Sequence, residues 1–192
     1  MTRTPATTLS GATFDSISEQ SLSRNVLLII AASLLIALSA RVAIPLPFTP
    51  VPMTLQPLAI LLVGAALGAK RGTAAAILYL LEGAAGAPFF AHPLGLAGPT
   101  GGYLLAFPFG AAVAGTFADR GWMRQLRTAV PGLALALAVI LLGGWAWLSF
   151  VISLGARGAF LAGVAPFLIS GALNVGIAAA ALQAAHRMRR RS

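Results

Sequence analysis

Few residues in this sequence could do chemistry, and most of those sit in or beside long apolar blocks. The 192 residues include four acids, thirteen lysines and arginines, two histidines and no cysteine. Glu82 is the only acid inside an apolar block. A charge at membrane depth is expensive and usually marks a functional group. The other reading of Glu82 is a structural pair with Arg41 or Arg157, or a protonated buried carboxyl. Asn174, within the last apolar block, and Gln56, at the start of the second, could hydrogen-bond a ligand or a neighbouring helix. Two segments add backbone features. In IPLPFTPVPMTLQ (44–56), Pro45, Pro47, Pro50 and Pro52 hold the chain extended and remove backbone donors. Such a loop lines or covers a pocket, or is a rigid connector. In GPTGGYLLAF (98–107), Gly101 and Gly102 leave the start of a helix bare, so that a ligand could approach it. The free N–H groups there suit a carboxylate or carbonyl oxygen. Thr100 and Tyr103 add hydroxyls. The alternative is a capped turn with close helix packing.

Other chemistries are excluded by what is missing. Without cysteine there is no disulfide or thiolate metal site. His92 and His186 lie far apart in sequence, which argues against a histidine-rich metal site, and no cofactor is expected. The stretch GAALGAK (64–70) has the wrong glycine spacing for a phosphate loop, and Arg71 follows its lysine. No clustered acid/base set for a membrane hydrolase is present. The net charge of +9 does not point to nucleic acid, because the arginines sit at the ends of apolar blocks and not on one polar face.

The elements that must position these residues follow from the apolar blocks. Hydrophobic residues make up 58% of the chain and charged residues 9%, against about 25% charged in an ordinary soluble domain. Six blocks approach or exceed bilayer length: Asn25–Ala43, Thr54–Ala69, Gly72–Phe90, Gly101–Ala118, Val130–Leu154 and Phe160–Ala185. They are continuous and not alternating, so they read as helices and not barrel strands. The fold expected is an all-α integral membrane bundle of six transmembrane helices over residues 24–188. It is flanked by a flexible Ser/Thr-rich cytoplasmic tail at 1–23, with Arg3, Asp15 and Glu19, and a basic cytoplasmic tail at 189–192. The long polar lead before residue 24 disfavours a cleaved signal peptide.

Charge orients the bundle. With the N-terminus inside, one side holds eleven basic residues: Arg3, Arg24, Lys70, Arg71, Arg120, Arg124, Arg127, Arg187, Arg189, Arg190 and Arg191. The other holds Arg41 and Arg157. This asymmetry puts both termini in the cytoplasm and requires an even number of spans. Small residues recur at four-residue spacing, as Gly64/Gly68 and Ser33/Ala37, and serve packing within the bundle or docking of a membrane partner. No internal repeat of the inverted-repeat transporter kind is evident.

Three strings taken together, IPLPFTPVPMTLQ, YLLEGAAGAPFFA (79–91) and GPTGGYLLAFPFGAAVAG (98–115), resemble the BioY family. These are the biotin-binding substrate-capture (S) components of energy-coupling-factor (ECF) transporters. The resemblance runs in order from about residue 31 to residue 184. It implies a six-helix fold with both termini inside and a biotin pocket near the outer face. The first loop and the loop after the third helix would close that pocket. It also implies an ECF transmembrane coupling protein and ATPase subunits as partners, which explains the missing phosphate loop. Under this reading Gln56, Glu82, Thr100, Gly101, Tyr103 and Asn174 orient biotin, and Phe90 is among the side chains that bury its apolar parts. Ser33 and Ala37 stand where the family carries an Ala-xxx-Ala docking pattern. One string departs. The family's sixth helix often reads PFLPGDALK, and this chain reads PFLISGALN (166–174), with Gly171 for the Asp and Asn174 for the Lys. A candidate cation for the biotin carboxylate is lost, which leaves Asn174, Arg41 or the fourth-helix N-terminus to serve it. The rivals are an S component for another vitamin or biotin precursor, a membrane-embedded enzyme using Glu82, and a scaffold without a ligand.

Overall fold

A computed structural model of the chain describes residues 10–189, with side chains from Leu22 to Met188. Among the described residues it contains six α-helices, two three-residue 3-10 helices (Gly95–Ala97 and Trp122–Arg124) and one two-residue-per-strand hairpin. The α-helices are α1 (Ser10–Ser39), α2 (Gln56–Ala84), α3 (Gly101–Asp119), α4 (Leu126–Phe150), α5 (Gly155–Gly163) and α6 (Phe167–Arg189). Between α1 and α2, β1 (Ala43–Ile44) pairs antiparallel with β2 (Met53–Thr54), Ala43 opposite Thr54. Five of the helices are long and apolar enough to cross a membrane; α5 is not. Helix α1 already begins at Ser10, within the stretch expected to be a tail. Arg3, Arg190 and Arg191, and the side chains of Asp15, Glu19 and Arg189, lie outside the described residues.

Helix α2 is not one straight rod. It breaks at Gly68, whose φ of +81° is left-handed backbone that only glycine adopts cheaply. Eight residues along a straight helix would be about 12 Å apart, yet a Cβ added to Gly72 would lie 2.9 Å from the Gly64 Cα. The two legs, 56–67 and 69–84, therefore fold back against each other. Asp119, at the end of α3, closes the turn by accepting a hydrogen bond from the Ala69 N–H at 3.0 Å. The pair Gly64/Gly68 is thus divided between two jobs. Gly64 packs against the Ala111 backbone of α3, and Gly68 makes the turn. The blocks Thr54–Ala69 and Gly72–Phe90 correspond to these legs, except that the second ends at Ala84. Gly86, at φ +99°, and Pro88 turn the chain into a loop.

The block Phe160–Ala185 is a second place where the elements differ from the sequence reading. It is split between α5 and α6, with Pro166 in the connection. Proline lacks the N–H that would continue α5. The core lies where both legs of α2, α3 and α4 meet, around Tyr79, Ile60, Leu133, Ile140 and Leu148, all fully buried. The outward faces are apolar: Leu27, Leu38, Phe109, Leu142 and Ile169 are each at least 60% exposed. Such a surface suits lipid and would be a liability in water.

Hydrogen bonds tie each end of the bundle together. At one end Arg71 donates to the Asn25 side chain at 3.3 Å, and Gln183 donates to the Met123 carbonyl at 3.2 Å. Arg24, Lys70, Arg71, Arg120, Arg124, Arg127 and Arg187 gather there. At the other end Thr49 donates to the Ala162 carbonyl at 2.6 Å, and the Trp147 indole donates to the Gly98 carbonyl at 3.0 Å. Arg41 donates to the Pro88 carbonyl at the same end, where Arg157 also lies.

Candidate functional site

The proline-rich loop and the hairpin that it forms descend onto the bundle at the arginine-poor end. Val51, Pro52, Met53 and Thr54 roof a cavity there. Its walls come from the start of α2 (Gln56), Thr100 just before α3 and the first two turns of that helix (Tyr103, Phe107), α4 (Leu137, Ile140, Leu141) and the start of α6 (Phe167, Ser170, Asn174). The space is narrow, about 50 Å³, which is room for a few water molecules. Pockets for ligands of drug size run from roughly 300 Å³ upward, so admitting such a guest requires the roof or walls to move.

Most polar groups around the cavity are already committed. The Thr54 hydroxyl donates to the Gln56 side-chain oxygen at 3.4 Å and accepts from the Gln56 backbone N–H at 3.3 Å. The Gln56 amide donates to the Tyr79 hydroxyl at 2.7 Å, and that hydroxyl donates to the Phe89 carbonyl at 3.3 Å. The Tyr103 hydroxyl donates to the Gly163 carbonyl at the end of α5. The Ser170 hydroxyl donates to the Phe167 carbonyl within its own helix at 3.3 Å. Two side chains are left over. The Thr100 hydroxyl is buried with no hydrogen-bond partner. Asn174, 8% exposed, makes no hydrogen bond among the described residues. A buried polar group without a partner costs about 1–3 kcal/mol, a cost that falls on the Thr100 hydroxyl, whereas the Asn174 amide keeps some exposure.

Of the residues singled out in the sequence, Gln56, Thr100, Tyr103 and Asn174 come together at this cavity. Three do not. Gly101 packs under the Leu96 carbonyl and the Trp147 ring, and its N–H donates to the Gly98 carbonyl at 3.0 Å. Its bareness therefore serves close packing and not ligand approach. Glu82 faces α1, where its Oε1 accepts a hydrogen bond from Ser33 at 3.4 Å and its Oε2 is buried without a partner. No pairing of Glu82 with Arg41 or Arg157 forms. Phe90 stacks edge-on against Tyr79, centroids 5.7 Å apart, and lines a separate outer cleft with Arg41, Pro88 and His92. Ser33 and Ala37, read as docking positions, are 0% and 5% exposed inside the bundle. They are internal packing positions of α1, because the outer face of that helix is made by Leu27, Leu34 and Leu38.

The apolar wall residues were not singled out in the sequence: Leu137, Ile140 and Leu141 sit in an unbroken apolar block whose inner face no polar marker picks out. Ser170 could have been found, since it lies four residues before Asn174, one helical turn away on the same face. No group of three or more potential metal-ligating side chains occurs among the described residues.

The sequence model of the BioY family matches residues 8–191. The chain belongs to the BioY family. A protein of Pyrococcus horikoshii named a probable biotin transporter BioY is 40% identical over 124 residues, which is 62% of this chain and 71% of that protein. The biotin transporter BioY of Rhizobium etli is 32% identical over 151 residues, covering 73% of this chain and 81% of its own length. In three dimensions the chain is similar to a crystal structure described as the S-component for biotin from an ECF-type ABC transporter. The TM-score is 0.78 at 21% identity, with 90% of this chain and 94% of that chain covered. At that identity the likeness speaks for the fold. The BioY fold thus brings the proline-rich loop over a cavity whose uncommitted groups are Thr100 and Asn174.

Proposed function

We propose that this chain captures biotin at the outer face of a cell membrane, as the S component of an ECF-type transporter. It is a multi-pass membrane protein and not an enzyme. ATP hydrolysis belongs to partner subunits, since the chain has no phosphate loop. Family membership and relatives named as biotin transporters support the solute. The observation that carries the site is the pairing of a free hydroxyl at Thr100 with a free carboxamide at Asn174. A ureido ring presents N–H donors and a carbonyl acceptor, and these two side chains offer both kinds of partner. The thioether ring and aliphatic chain would lie against Phe107, Leu137, Ile140 and Phe167.

The fold-back at Gly68 supports six crossings, counted as α1, the two legs of α2, α3, α4 and α6. Together with the gathered arginines, it favours cytoplasmic termini and a cavity that opens outward. On this reading residues 24–188 form the substrate-binding domain between two cytoplasmic tails. Direct binding decides the matter. The purified chain in detergent should take up radiolabelled biotin at submicromolar concentration, with dethiobiotin and thiamine as competitors. Absence of biotin binding at a thousandfold higher concentration overturns the proposal. Preference for another vitamin moves it to the rival S-component reading.

A further inference from the structure

We infer that this cavity selects its solute by a neutral hydrogen-bonding head and is indifferent to the carboxylate, so that uncharged biotin derivatives are substrates as good as biotin. The inference rests on the cavity being the biotin site and adds which part of the ligand it reads. Its basis is an absence of charge. Among the described residues that line the cavity there is no Lys, Arg, His, Asp or Glu. An ionised carboxylate taken out of water needs a cation or several N–H donors. No cation is on offer. At the start of α3 the Gly101 N–H is taken by Gly98 and the glycine is shut behind Trp147, so only the Gly102 and Tyr103 N–H groups remain there.

The α6 wall is closed to charge in another way. A Cβ added to Gly171 would meet the Leu137 Cδ2 at 2.7 Å. Leu137 thus occupies the space into which a side chain at 171 would reach, and an apolar surface lines that side. The cations at this end of the bundle lie elsewhere. Arg41 lines the outer cleft, which shares no lining residue with the cavity, and its guanidinium donates to Pro88. Arg157 is exposed on α5. What the cavity does offer, Thr100 and Asn174, is neutral, and each can donate and accept. A urea-type head satisfies such a pair; a carboxylate can use only their donor side. The carboxylate end of the ligand is therefore left at the roof, near Pro52 and Met53, in contact with water.

The test is competition for bound radiolabelled biotin on the full chain in detergent, with biotinol and biotinamide as neutral competitors. Calorimetry of each compound alone runs in parallel. Both neutral compounds should bind within about threefold of biotin. A loss greater than about tenfold, the size expected when a charge-assisted hydrogen bond disappears, overturns the inference. If biotinol binds while biotin does not, head recognition stands and biotin as the carried solute falls. If neither binds at millimolar concentration, both fall. Asn174→Lys gives an opposite arm by putting a cation on the wall. It should make the site discriminate, favouring biotin over biotinol by about tenfold or more. Arg41→Gln and Arg157→Gln should leave the biotin-to-biotinol ratio unchanged; a shift in that ratio identifies a carboxylate partner and overturns the inference.

Discussion

Gln56 donates to the Tyr79 hydroxyl at 2.7 Å although 23 residues separate them. On a straight helix they would stand about 34 Å apart. The bond exists because α2 folds back at Gly68, and it places Tyr79 between the cavity residue Gln56 and the outer-cleft residue Phe90. Replacing Tyr79 with Phe keeps the ring contacts and removes two hydrogen bonds, one from Gln56 and one to Phe89. Interhelical hydrogen bonds in membranes average about 0.6 kcal/mol and reach about 1.7, so Tyr79→Phe should cost about 1–2 kcal/mol. Thermal unfolding in detergent measures this. A double variant with Gln56→Leu should lose less than the sum of the singles, because the same bond is removed in both.

The fold-back itself depends on Gly68 and Asp119. A side chain at Gly68 must adopt a positive-φ, extended backbone (φ +81°, ψ 174°) that is essentially reserved for glycine, at about 1–3 kcal/mol, and its Cβ would run into the Asp119 carboxylate. Gly68→Ala should therefore lower the unfolding temperature clearly. Asp119→Ala removes the acceptor for the Ala69 N–H, a loss comparable to a helix cap at about 1 kcal/mol. Combining the two should cost less than their sum, since removing the carboxylate clears the clash. Additive losses would mean that the two residues do not meet at this turn.

How far the sequence foretold this arrangement depended on what each residue type reports. Bilayer-length blocks and the arginines at their ends are local properties, and they located α1, both legs of α2, α3 and α4. Four of the seven candidate binding residues also converge on the cavity, because a polar residue in an apolar block has to face something other than lipid. Direction is what the sequence withheld. Glu82 is as polar as Asn174, yet it turns toward Ser33 on α1 and away from the cavity. Gly101 signals a close approach without saying of what, and the answer is Trp147. Ser33 and Ala37 have docking spacing, but whether that face looks inward is a tertiary fact. The division of the last block at 164–166 was visible in Pro166 and was outweighed by the apolar run around it.

Thr100 separates binding from stability. Its hydroxyl is buried and makes no hydrogen bond within the protein, so Thr100→Val exchanges an unsatisfied polar atom for a methyl of similar shape. Such an exchange is neutral or stabilising for the fold. For a ligand that bonds to the hydroxyl the same change removes one contact, worth about tenfold in affinity. The expected outcome is an unchanged or higher unfolding temperature with a weakened biotin dissociation constant. If affinity is unaffected while stability rises, Thr100 does not touch the ligand. If stability falls, the hydroxyl has a protein partner in the membrane-embedded state.

Orientation is the last point, and the two ends of the bundle make it testable. Seven described basic side chains gather around the Gly68 turn, the 120–127 connection and the end of α6, whereas Arg41 and Arg157 are alone at the cavity end. Cytoplasmic loops carry the excess of Lys and Arg, so the proposed orientation puts the crowded end inside. The native chain has no cysteine, and single cysteines can therefore be introduced without background. In intact cells a membrane-impermeant thiol reagent should label Arg157→Cys, which is exposed on α5, and spare Arg124→Cys until the membrane is permeabilised. Labelling of Arg124→Cys from outside, with Arg157→Cys protected, would turn the cavity toward the cytoplasm. A protein so placed could not capture an external solute, however well it bound biotin in detergent.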